Sequence, residues 1–95
     1  MAVLGVKHIL VAHRYEADDL LSKIKADPQS TEKTFIKLAE KFSKCSSRKI
    51  GGDLGLVADR RLDPDFAEAA SHLKPGQVSE PIRTRFGYHL ILRYQ

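Results

Sequence analysis

The 95-residue sequence has no tryptophan, one methionine and one cysteine. The single cysteine, Cys45, excludes an internal disulfide, a four-cysteine zinc site and any paired-cysteine redox motif. A lone thiol suits a reducing compartment, so the expected location is the cytoplasm. With four phenylalanines and three tyrosines as the only aromatics, the core must be mostly aliphatic and its stability margin modest. No run approaches the ~18 apolar residues that a membrane span needs, and no membrane partner is expected. Low-complexity segments and internal repeats are also missing. The apolar start over residues 1–11 is interrupted by Lys7 and His8. It has neither a basic leader nor a small-residue cleavage site, so no secretory signal is expected.

What is present is an ordinary globular balance, 42% hydrophobic and 29% charged. Lys plus Arg number 16 against 12 Asp plus Glu, a formal charge of +4. That balance permits an acidic partner without requiring one. The length predicts one domain over residues 1–95 and excludes an enzyme with a separate cofactor domain.

Residues 3–11 read as a strand with apolar side chains on both parities: Val6, His8 and Leu10 on one, Ile9 and Val11 on the other. Such a strand is central, with both faces covered. Three helical stripes follow at i, i+3, i+4, i+7 spacing. They are Ala17, Leu20, Leu21, Ile24, then Phe35, Leu38, Ala39, Phe42, then Phe66, Ala69, Ala70, Leu73. The third helix starts with Asp63 as N-cap and Pro64 in the first helical position, and stops at Lys74-Pro75-Gly76. Residues 51–57 read as a short glycine-bounded strand. Residues 77–82 form a further strand, a turn surrounds residues 83–85, and residues 87–94 form the last. The order β-α-α-β-α-β-β predicts an α+β fold: a four-stranded, largely antiparallel sheet flanked by helices.

Few residues are equipped for chemistry. His8 and His89 lie inside the two most apolar strands, near opposite ends of the chain. If those strands pair, the imidazoles face each other as a cross-strand pair. Each is either a satisfied core histidine or a functional one. Cys45 is either an inert residue at a helix end or an active-site thiol. No histidine or cysteine pair has short-range ligand spacing, so no metal is expected. Lys33, Lys37 and Lys41 line one helix face in a basic stretch over residues 33–49. A solvated face opposite the buried stripe is the expected reading, and contact with phosphate backbones the alternative. Leu54, Leu62, Phe66 and Phe86 flank turns or element starts. They are core residues or the walls of a shallow apolar pocket.

Several strings carry a resemblance when read together. They are His8-Ile9-Leu10-Val11, Cys45-Ser46-Ser47, Gly51-Gly52-Asp53-Leu54-Gly55, Asp65-Phe66-Ala67-Glu68-Ala69-Ala70, Pro75-Gly76-Gln77-Val78-Ser79-Glu80-Pro81 and Phe86-Gly87-Tyr88-His89-Leu90-Ile91. Each is weak alone. In this order and spacing, from about residue 6 to residue 94, the sequence resembles the parvulin family of peptidyl-prolyl cis/trans isomerases. The resemblance implies that His8 and His89 form a central histidine pair. Cys45 stands where the family places cysteine or aspartate, and Thr84 supplies a hydroxyl directed toward the histidines. Leu54, Leu62, Phe66 and Phe86 then form the pocket for a proline ring, with Leu62 in place of the usual methionine, a near-isosteric exchange.

One branch of the family requires phosphoserine or phosphothreonine before proline and reads it with a long basic loop after the first strand. Here that connection, Ala12-His13-Arg14-Tyr15-Glu16, offers one arginine and precedes Asp18 and Asp19. The resemblance is therefore to the non-phosphospecific, single-domain branch. It implies a monomeric isomerase acting on proline-containing polypeptides, with no cofactor, no metal and no nucleic acid required. A proline-binding module without turnover, a nucleic-acid binder and a cysteine hydrolase are the alternatives. Two adjacent imidazolium ions repel, so full activity is expected only while the pair carries at most one charge.

Overall fold

Alternation along residues 3–11 buries side chains on both sides of one strand, and the rest of the molecule is arranged around it. The computed structural model describes residues 2–95. The elements in chain order are β1 (Val3–Val11), α1 (Arg14–Lys25), α2 (Thr31–Phe42), β2 (Asp53–Ala58), α3 (Pro64–Ser71), β3 (Ile82–Thr84) and β4 (Gly87–Arg93). Single 3-10 turns occupy Pro28–Ser30, Ser46–Ile50 and Asp59–Arg61. The sheet order is β2-β1-β4-β3, antiparallel throughout, so the first and last strands lie at its centre.

The two faces of the sheet are covered by different helices. Ile9, Val11, Leu90 and Leu92 pack with Ala17, Leu20, Leu21 and Ile24 of α1 and with Phe35 and Ala39 of α2. Leu4, Val6 and Ile91 point the other way, against Phe66 and Ala70 of α3. Full burial of each such aliphatic side chain contributes roughly 1.5–3 kcal/mol. His8 shares the parity of Leu4 and Val6, and His89 that of Ile91. Both imidazoles therefore belong to the α3 side of the sheet.

The helix starts follow sequence chemistry. Glu16 reaches back so that its carboxylate accepts the His13 N–H at 3.0 Å, opening α1. Asp63 accepts the Asp65 N–H at 3.0 Å, with Pro64 next to it, opening α3.

Four details differ from the sequence expectation. Phe42, placed on the buried stripe of α2, is 41% exposed. The chain leaves the helix at Ser43, which turns extended and buries its hydroxyl under β1, leaving Phe42 on the rim beneath Lys23 and Lys41. α3 ends at Ser71, three residues before the Lys74-Pro75-Gly76 stop. Gly51 and Gly52 are in a turn ahead of β2 rather than within it, both with positive φ. The expected strand over residues 77–82 is displaced: β3 is Ile82–Thr84 and the turn is Arg85-Phe86. Ahead of Pro81, Val78 bridges Leu92, while Ser79 donates its N–H to the Ile91 carbonyl at 2.8 Å and accepts the Ile91 N–H on Oγ at 3.0 Å. Proline brings no N–H to a ladder, so regular pairing begins only beyond it.

Candidate active site

β1 and β4 deliver the two histidines to one spot. His8 pairs with Ile91 on the ladder and His89 with Leu10, so the imidazoles are diagonal neighbours rather than direct cross-strand partners. Diagonal positions on one face lie within reach of long and aromatic side chains. The rings stack with centroids 5.3 Å apart and planes 17° from parallel, and the two Nδ1 atoms are 3.1 Å apart. Both residues are buried, at 5% and 4% exposure. At that separation one Nδ1 carries the hydrogen and the other accepts it.

Thr84 fixes the direction. Its Oγ1 lies 2.7 Å from Nε2 of His89 and accepts the Phe86 N–H at 3.2 Å. A hydroxyl that accepts from Phe86 and donates to His89 uses both its capacities. His89 then holds its hydrogen on Nδ1 and donates to Nδ1 of His8. The opposite direction aims two donors at Thr84 and leaves its own hydrogen without an acceptor among the described residues. Nε2 of His8, at the end of the chain, is buried with no partner among them.

Burial sets the charge state. His8 has its pKa pushed down to about 4, first by loss of hydration and then by the neighbouring His89. His89 is also held below the usual imidazole range by burial, against an opposing pull from the Asp63 carboxylate. Both rings are neutral near pH 7.

A hollow of about 290 Å³ opens beside the pair. His8, His89, Leu10, Cys45, Leu54, Arg61, Leu62, Asp63, Phe66 and Phe86 line it. Phe66 projects from the first turn of α3 and meets both imidazoles edge-on, with ring centroids 5.6 Å from His8 and 5.2 Å from His89. Phe86 is different. It sits on the β3–β4 turn, 61% exposed, with the Arg85 guanidinium 5.0 Å above its ring. It forms a rim, while Phe66 is the floor.

Two backbone devices hold the site. Ser43 Oγ accepts the Leu10 N–H at 3.0 Å and the Cys45 N–H at 3.3 Å, tying Cys45 to β1. Gly52, at φ 80°, brings its carbonyl to 2.9 Å from the His8 N–H. A Cβ at Gly52 would lie 2.2 Å from the His8 carbonyl oxygen, so only glycine permits this approach.

Seven of the eight residues singled out in the sequence line the hollow, and Thr84 stands behind His89. Leu10, Arg61 and Asp63 were missed. Leu10 shares the parity of His8, a signal that was available. Asp63 reads as an N-cap alone, and Arg61 sits in a 3-10 turn whose facing no periodicity announces. A second hollow of about 370 Å³ lies between α1 and the end of α2, walled by Glu16, Asp19 and Lys23 together with apolar groups. Its charged walls do not suit an apolar ring. Among the described residues no three His, Cys, Asp or Glu side chains gather as a metal set.

A central antiparallel sheet carrying buried paired imidazoles against an apolar hollow is the arrangement that the resemblance to the prolyl isomerases implies. The chain belongs to the rotamase family: the PPIC-type PPIase domain matches residues 8–94. It is 41% identical over 89 residues to the foldase protein PrsA of Bacillus subtilis, covering 93% of this chain and 29% of that protein. It is 43% identical over 88 residues to a probable parvulin-type peptidyl-prolyl cis-trans isomerase of Bordetella pertussis, covering 90% of this chain and 33% of that one. The chain thus spans about a third of the length of these relatives. Among solved structures it is similar to NmPin, the parvulin of Nitrosopumilus maritimus, with a TM-score of 0.84, 36% identity and coverage of 100% of this chain and 98% of that one.

Proposed function

We propose that this domain is a peptidyl-prolyl cis/trans isomerase acting on unfolded or flexible proline-containing polypeptides. The observation that carries the reading is the apolar hollow floored by Phe66 against a neutral, buried imidazole pair.

The reaction is rotation about the bond before proline, with a barrier of ~18–20 kcal/mol and an uncatalysed time of tens to hundreds of seconds. No covalent bond breaks. As the amide twists it loses resonance, its carbonyl oxygen becomes less negative and the proline nitrogen becomes a better acceptor. A dry apolar wall favours the twisted amide over the more polar planar one. Leu54, Leu62, Phe66 and Phe86 hold the ring in this reading. The chain Phe86–Thr84–His89–His8 fixes the tautomers and the shape of the hollow, and Cys45 stands at its edge as a polarizable neighbour of the rotating carbonyl. Lowering the barrier by ~4–5 kcal/mol gives more than a thousandfold acceleration. That is within the range of differential binding of the transition state, so the reading calls for no cofactor or metal.

The β1–α1 connection is only two residues, Ala12-His13, and Arg14 behind it opens α1 as the one arginine of residues 12–16, which supports a substrate range that does not require phosphate. The single cysteine suits a reducing, cytoplasmic setting, which this reading keeps together with a monomeric state.

The test is exchange spectroscopy by NMR on a proline peptide. Catalytic amounts of the domain are expected to produce cross-peaks between cis and trans proline signals that the peptide alone does not show. Saturable shifts with no such cross-peaks would mean a binding module without turnover.

A further inference from the structure

The chain's net charge of +4 is not spread over its surface. Three connections each place a side chain in the wall of the hollow: residues 43–52 with Cys45, residues 59–63 with Leu62, and residues 85–86 with Phe86. They carry six of the 16 cationic side chains, Lys44, Arg48, Lys49, Arg60, Arg61 and Arg85, and two of the 12 carboxylates, Asp59 and Asp63. The remainder, ten of each sign, is neutral. None of these six cations is in an ion pair among the described residues. All six are exposed.

One of them is part of the wall. Arg61 lines the hollow next to Leu62 and is the only cation of its wall among the described residues. Arg85 lies over the ring of Phe86, another residue of the wall. Asp63, the carboxylate of the same wall, already accepts the Asp65 N–H as the cap of α3. An exposed guanidinium with no ion-pair partner among the described residues, at the mouth of an apolar hollow, attracts an anion and offers planar, two-point bonding to a carboxylate.

We propose that the isomerase selects prolyl bonds flanked by acidic side chains, with Arg61 as the residue that reads the carboxylate and the surrounding cations steering acidic segments to the hollow. The choice of a monoanion over a phosphate dianion follows from the wall itself: one cation, with Asp63 two residues away, provides no cluster for two charges. This inference rests on the isomerase reading.

The experiment measures kcat/KM by NMR exchange for four otherwise identical peptides carrying Glu, Ala, Lys or phosphoserine before proline, with the wild-type domain, Arg61→Gln and Arg61→Glu. Each variant is referred to its own Ala-Pro rate, so a loss common to all peptides cancels. The expected order is Glu over Ala over Lys, with Glu about tenfold above Lys at low ionic strength. The spread should shrink toward unity in ~0.5 M salt, fall below about twofold in Arg61→Gln and invert in Arg61→Glu. Equal rates for Glu, Ala and Lys peptides in the wild type would overturn the proposal while leaving the isomerase intact. So would an unchanged spread in Arg61→Gln, or a phosphoserine peptide more than about tenfold better than the Glu peptide. Absence of turnover on the Ala-Pro peptide would instead remove the isomerase reading on which this one stands.

Discussion

His8 and His89 meet diagonally across the two central strands, each facing an aliphatic partner on the ladder, with Nδ1 atoms 3.1 Å apart. The geometry has room for one hydrogen between the rings. Charging His8 in full would add a second hydrogen to that gap or a cation to a buried, apolar wall. Both costs are visible in its pKa of about 4.

Stability should therefore depend on pH in a definite direction. The folded pKa of His8 lies below the unfolded value of 6.5. Between the two, the unfolded chain binds the proton and the folded one does not, so stability rises with pH across that window. His8 imposes no penalty above pH 6.5, and acidification from there to about pH 4 should cost the fold about 3 kcal/mol. That is a large share of a small domain's margin. Urea titrations at several pH values should show the slope, and His8→Phe should lose most of it. An equal slope in that variant would assign the effect to other groups. The same lowering moves the double charging that would stop activity to lower pH: the rate should stay level from pH 8 through the ordinary imidazole range and fall only below it, where a second charge reaches the pair.

Thr84 is a positioning residue in this arrangement. Replacing it by valine strands the Phe86 N–H and Nε2 of His89 together. The expected cost is about 1–3 kcal/mol of stability. kcat should fall while KM for a proline peptide stays near its wild-type value, because the ring-holding walls remain. Thr84→Ser keeps the hydroxyl and should restore kcat and the level pH profile. If serine fails to do so, the methyl group rather than the hydrogen bond matters.

Gly52 and Gly55 form a matched pair for testing backbone approach. Both have positive φ, 80° and 74°. A Cβ at Gly52 would overlap the His8 carbonyl at 2.2 Å, whereas one at Gly55 has nothing within 4 Å. Gly55→Ala should cost only the backbone penalty, roughly 1–2 kcal/mol. Gly52→Ala adds a collision with the strand that carries His8 and should reach about 4 kcal/mol, among the larger single-residue effects. Chemical denaturation of the two variants decides it, and equal losses would show that β1 yields to the added methyl at little cost.

The fold was legible wherever a period was strong. β1, the stripe of α1 and the start of α3 are written in local spacing and capping chemistry, and the structure has them at those places. Reading failed where long-range geometry decides. Phe42 has helical spacing, yet the demand of Leu10 for an acceptor turns the chain at Ser43 and carries the ring outward. β3 is short because Pro81 delays the ladder, an effect whose exact placement depends on where β4 lies. The diagonal offset of the histidines is a matter of register, which one strand's sequence cannot contain. Arg61 and Asp63 enter the hollow only because the turn after β2 folds over the sheet beside α3.

Cys45 distinguishes rotation from covalent chemistry. It lies in the wall of the hollow, and its backbone is fixed independently of its thiol by the Cys45 N–H to Ser43 Oγ bond at 3.3 Å. Replacing the side chain should thus leave the local geometry in place. A thiol that only borders the rotating carbonyl contributes polarity and volume, and Cys45→Ala should keep kcat/KM within about tenfold, or about 1.4 kcal/mol, of wild type. A nucleophile that attacked the amide would be indispensable, with losses up to about a millionfold on removal. Cys45→Asp preserves a polar edge with much weaker nucleophilicity and should rank at or above the alanine variant. The measurement is kcat/KM on one proline peptide for the three proteins, with binding followed by chemical shift. A loss beyond about a thousandfold in both variants, at unchanged peptide affinity, would replace simple rotation with a covalent route.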